Sequence, residues 1–68
     1  MELYIKLKEV LAEREITQKQ LAEQSGIRAN AISEMVNNQR QTINKEQLAK
    51  VCEVLGIERV EDMLEFRK

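Results

Sequence analysis

Residues 16–27, ITQKQLAEQSGI, hold a helix start and a helix stop so close together that they dictate the architecture around them. Thr17 has the oxygen needed to cap the N–H of Gln20, Gln20 can reach back to the N–H of Thr17, and Ile16 can staple onto Leu21 across the first turn. A helix therefore begins at Gln18 and runs through Leu21, Ala22 and Glu23 to Gln24 or Ser25. Gly26 ends it, since glycine takes positive φ without steric penalty, and Ile27 follows as an apolar residue able to fold back and fix the turn. Beyond it Ile32, Met35 and Val36 recur at helical spacing. A second helix over roughly 28–37 turns these inward and leaves Arg28, Ala29, Asn30, Ser33 and Glu34 outward. Two short helices joined by a glycine turn, the second with a small polar outer edge, suit presentation of a helix to a DNA groove.

The flanks read as further helices. Leu3, Leu7, Val10 and Leu11 form a stripe that predicts a helix from about Leu3 to Arg14. Tyr4 flanks that stripe and Ile5 lies well off it, so they read as isolated surface apolar residues. The segment 37–42 has no apolar residue and two adjacent asparagines, one of which is expected to take the left-handed conformation that ends the preceding helix. Ile43-Asn44-Lys45-Glu46-Gln47-Leu48-Ala49 then repeats the helix-start code of 16–22, with Asn44 as cap, Gln47 closing the box and Ile43 stapling onto Leu48. Leu48, Val51, Cys52 and Leu55 carry that helix to Gly56, and Ile57 is placed for the apolar contact past the cap. Val60, Met63 and Leu64 predict a short fifth helix ending near Phe66.

Sixty-eight residues bound this to one domain, 1–68, with its helix-turn-helix core at 17–37. With no proline, two glycines, one phenylalanine and one tyrosine among many Leu, Lys, Glu and Gln, the expected class is all-α, a compact bundle of five helices. The apolar runs are too short to span a bilayer and the N-terminus lacks a signal peptide's apolar region, so a cytoplasmic, nucleoid-associated protein is expected. Cys52 is the only cysteine and there is no histidine. No disulfide framework, metal cluster, cofactor motif or nucleophile with a partnering base can be assembled, and catalysis is not expected. Cys52, on an apolar stripe and without a cationic neighbour, reads as a small buried hydrophobe.

Net charge is −1, which counts against nucleic-acid binding by bulk electrostatics. The distribution is uneven. Residues 1–15 sum to −1, residues 16–50 to +2 and residues 51–68 to −2. The middle is the only basic part, and the acidic end, with Glu58, Glu61, Asp62 and Glu65, should face away from phosphate.

The order Ile-Thr-Gln-x-x-Leu-Ala-x-x-Ser-Gly-Ile at 16–27, Ala-Ile-Ser-x-Met at 31–35 and Leu-Ala-x-Val-x-x-x-Leu-Gly-Ile at 48–57 resembles the phage-repressor (lambda-repressor-like, XRE/Cro-type) helix-turn-helix family, and the similarity covers nearly the whole chain. The resemblance implies a sequence-specific regulator of transcription, repressor-like and of bacterial or phage origin, that binds double-stranded DNA as a homodimer. It implies that Ala29, Asn30 and Glu34 read bases with Arg28 and Ser33 on the flanks, and that Gln18, Lys19, Asn38, Arg40 and Lys45 contact phosphates. The chemistry agrees: Asn30 can pair with adenine N6 and N7, Glu34 can accept from cytosine N4, and Ala29 can touch a thymine methyl. Ala22 is the small residue that lets the two helices approach.

This chain departs from the family pattern at several places. Arg28 stands where a capping Ser or Thr is usual, Asn38 where Gly is frequent, and Leu11 and Val36 where many relatives place an Arg–Glu pair. Because both members of that pair are apolar here, Leu11 and Val36 are expected to touch. The competing reading, favoured by the acidic balance and by Glu34 on the reading edge, is a helix-turn-helix fold kept for protein contacts, as an antirepressor or accessory factor. The plainer alternative for Gln18 is a helix-start residue chosen for solubility, and for Asn30 and Glu34 a solvated helix face. The operator, the inducing signal, the sign of regulation and the dimer surface are not encoded in any motif, and no separate ligand-sensing domain is expected.

Overall fold

The structure, a computed structural model, describes residues 1–39 and 42–68. In chain order the elements are strand β1 (Glu2–Ile5), helices α1 (Leu7–Arg14), α2 (Gln18–Ser25), α3 (Ala29–Val36) and α4 (Lys45–Leu55), a 3-10 turn at Val60–Asp62, and strand β2 (Leu64–Arg67). The four α-helices correspond to the first four expected, except that α1 begins at Leu7 rather than Leu3, because Glu2–Ile5 is a strand. The fifth does not form, and the fold is not all-α: β1 and β2 pair antiparallel, with Glu2 opposite Arg67, Leu3 opposite Phe66, Tyr4 opposite Glu65 and Ile5 opposite Leu64.

The two corrections have one cause. Leu3 and Leu7 are four apart, as a helix requires, but Leu3 and Ile5 are two apart, as are Leu64 and Phe66, and this second period is the one the chain ends use. Each end is too short to bury a helical face by itself; paired, they satisfy each other's backbone across most of the chain's length. Tyr, Ile and Phe suit a pleated surface, and their partners are remote in sequence, beyond what local periodicity registers. Lys6 is the joint: it precedes α1, and its N–H donates to the Met63 carbonyl at 2.6 Å. Ile5, expected at the surface, is therefore 8% exposed and in the core, whereas Leu3 from the expected stripe is 45% exposed.

The helix ends follow the sequence closely. At α2 both bonds of the capping box form, Gln20 N–H to Thr17 Oγ1 at 3.0 Å and Thr17 N–H to Gln20 Oε1 at 2.9 Å. At α4 the Gln47 N–H donates to Asn44 Oδ1 at 3.1 Å, but the expected return bond from the Gln47 side chain does not form, and Ile43, expected to staple onto Leu48, is exposed. Gly26 and Gly56 end these helices at φ of 73° and 70°. The same left-handed geometry ends α1 at Glu15, φ 56°, where no glycine is available. The C-terminus of α4 carries no basic residue of its own last turn; Arg14, at the end of α1, donates to the Leu55 carbonyl instead.

One core joins β1 and the four helices: Ile5, Leu7, Val10, Leu11, Leu21, Ile32, Met35, Val36, Val51 and Leu55, with Met63 from between the 3-10 turn and β2, and Leu64 of β2 packs against it. Leu11 and Val36, expected to meet, are each 5% exposed in this cluster, on helices that pack against one another. Cys52 is half-buried, beside the core, and burial pushes its thiol pKa up.

Candidate nucleic-acid interface

The helix-turn-helix is built from the inside. Helix α2 packs on both α3 and α4, and Leu21, fully buried, sits in the common core with Ala22 half-buried against it. The turn is closed by two hydrogen bonds. Gly26 N–H donates to the Ala22 carbonyl at 2.9 Å, and Ile27 N–H to Ser25 Oγ at 3.2 Å, which explains why a serine at 7% exposure is tolerated there. Ile27 packs against the core, so the chain enters α3 on a fixed path.

Helix α3 is divided lengthwise. Ala31, Ile32, Met35 and Val36 are buried; Arg28, Ala29 and Asn30 are exposed, and Ser33 and Glu34 are half-buried. Arg28 occupies the cap position with extended backbone and forms no side-chain capping bond, so the first N–H groups of α3 have no side-chain acceptor. The far end of the outer edge is set by Asn37, whose Nδ2 donates to the Ser33 carbonyl at 3.0 Å and to Ser33 Oγ at 3.4 Å. Asn37 was not among the residues expected at this edge; its spacing of four from Ser33 is the signal that brings it there.

The expected phosphate contacts are placed unevenly. Gln18 and Lys19 are exposed in the first turn of α2, with the cap bond of Thr17 taken by Gln20 further along, and Lys45 is exposed in the first turn of α4. Among the described residues Lys19, Arg28 and Lys45 form no ion pair. Asn38 is different. At φ 53° it turns its side chain back onto β1, where it accepts from the Ile5 N–H at 2.8 Å and donates to the Ile5 carbonyl at 3.1 Å. Arg40 lies outside the described residues.

A family model described as a Cro/C1-type HTH DNA-binding domain matches residues 6–68. The chain belongs to this family. No curated protein and no solved structure matches it. The match leaves out β1's residues while including β2, so the ribbon straddles its boundary. Among the described residues of this Cro/C1-type domain, no helix is long and apolar enough to cross a membrane, and no three His, Cys, Asp or Glu side chains gather in a way that could hold a metal ion.

Proposed function

We propose that this Cro/C1-type domain is a sequence-specific, repressor-like regulator that inserts α3 into the major groove of double-stranded DNA and acts as a homodimer on a two-fold site. The observation that carries the reading is the division of α3: its inner edge is committed to the core while Arg28, Ala29 and Asn30 remain open to solvent. Ala29, Asn30 and Glu34, flanked by Arg28 and Ser33, are the proposed base contacts. Asn30 supplies a donor and an acceptor matched to adenine, and Ala29 a methyl matched to thymine. Gln18, Lys19, Lys45 and Arg40 are the proposed phosphate contacts, and they set register on the duplex without choosing its sequence. Asn38, with its amide engaged by Ile5, serves this function by holding the C-terminal end of α3.

The overall charge of −1 supports a second reading, a helix-turn-helix used for protein contacts. Selection from random duplex DNA separates the two. The DNA reading expects an enriched two-fold motif whose binding weakens steeply as salt rises. A folded protein that enriches no motif at low salt supports the protein-contact reading.

A further inference from the structure

Away from α3, the fold leaves a groove between α4 and the chain that follows it. Leu48, Ala49 and Cys52 stand three, four and seven residues after Lys45, so the four share one face of α4, and that face forms one wall with Lys45 at its end. Ile57, Val60, Met63 and Leu64 form the other wall. Met63 is buried in the core and Val60 is 68% exposed, so the groove runs from solvent down to the core. Its surface is largely apolar, and burial there raises the Cys52 thiol pKa. At about 280 Å³ it is close to the lower bound of small-ligand sites, roughly 300 Å³, a size that fits one small molecule. Three charged side chains also line it. Arg59 is engaged by Glu61 at 3.4 Å, and Glu58 disfavours an anion beside itself, whereas among the described residues Lys45 forms no ion pair. A ligand therefore meets a cation at the end of an apolar wall, where the α4 dipole adds to its field.

We propose that this groove binds an amphipathic carboxylate, a medium-chain fatty acid, with its alkyl chain along Leu48, Cys52, Ile57, Met63 and Leu64 and its carboxylate on the Lys45 ammonium. Burial of the alkyl chain drives the binding, and Lys45 sets its direction and its preference for a negative head. Lys45 is also a proposed phosphate contact. The bound carboxylate takes up the cation that a DNA backbone would use and leaves a negative charge beside it, so ligand and duplex oppose each other through one side chain. This coupling rests on the DNA reading; the site itself does not.

The site is tested without DNA by titrating sodium decanoate into the intact chain, below the concentration at which it forms micelles. Saturable binding is expected by calorimetry, with a raised melting temperature and slower alkylation of Cys52 by iodoacetamide. Decyltrimethylammonium, with the same chain and the opposite charge, should bind more weakly, and acetate not at all. Lys45→Glu, at an exposed position, should raise the decanoate dissociation constant by about fivefold or more. Ala49→Phe, also at an exposed position, fills the groove and should abolish binding with the fold intact. No saturable binding, a lowered melting temperature, an unchanged alkylation rate, equal affinity for the two amphiphiles or indifference to Lys45→Glu overturns the site. Against duplex DNA, decanoate should weaken wild-type binding and leave that of Ala49→Phe unchanged; a wild-type affinity indifferent to saturating decanoate overturns the coupling. Failure of the DNA reading shows differently, as a chain that binds decanoate in this way and binds no duplex.

Discussion

The Asn38 carboxamide grips the Ile5 backbone on both its polar groups, accepting from the N–H at 2.8 Å and donating to the carbonyl at 3.1 Å. It occupies the place of the next strand at that one residue and joins the end of α3 to β1 across the core. Asn38→Gly keeps the positive φ of 53° without strain and removes both bonds, and is expected to destabilise the domain by about 1–3 kcal/mol. Urea unfolding checks this. A loss of DNA affinity with stability unchanged would show instead that Asn38 acts on phosphate.

That residue also shows where sequence reading ran out. The capping box of α2, both glycine stops and the apolar stripes of α3 and α4 are local signals, each complete within a few residues, and the structure contains them as expected. Ile5 buried by pairing its strand with Leu64–Arg67, and Asn38 reaching Ile5, depend on partners far away in sequence. No periodicity within a single segment encodes them. The outward residues of α3 were legible because burial of Ile32, Met35 and Val36 forces the opposite edge out.

Leu11 and Val36 are two apolar side chains in one core cluster, on helices that pack against one another. Leu11→Arg or Val36→Glu alone buries a charge without its counterpart and should cost on the order of 3 kcal/mol. The double substitution should recover part of that loss, giving a favourable coupling energy in a double-mutant cycle. Strictly additive losses would mean that the two positions do not meet.

Helix stops give a paired test of opposite sign. Glu15 holds φ 56° with a side chain that disfavours it, and Gly26 holds φ 73° without one. Glu15→Gly should stabilise by about 1 kcal/mol and Gly26→Ala destabilise by about the same amount. Steric overlap is not involved at Gly26, where an added Cβ meets no atom within 4 Å, so a much larger loss measured by thermal unfolding would contradict a purely conformational cost.

Cys52 gives a pH prediction. Burial raises its thiol pKa in the folded state above the usual value near 9.0, so the fold favours the protonated form. Its contribution to stability is then fully present below pH 9.0 and is lost as pH rises through the folded value. Alkylation at neutral pH should be slower in the native protein than in urea; equal rates would place the thiol in open solvent.

In the proposed complex α3 reads sequence through Asn30 while Arg40 and Lys45 only hold the backbone. Selection from random duplexes with Asn30→Ala, set beside the same selection with Lys45→Ala, tests it most directly. Asn30→Ala is expected to change the preferred base at one position of each half-site, and Lys45→Ala to keep the wild-type motif at lower affinity and with a shallower salt dependence. The same motif recovered from both variants, weakened alike, would contradict it.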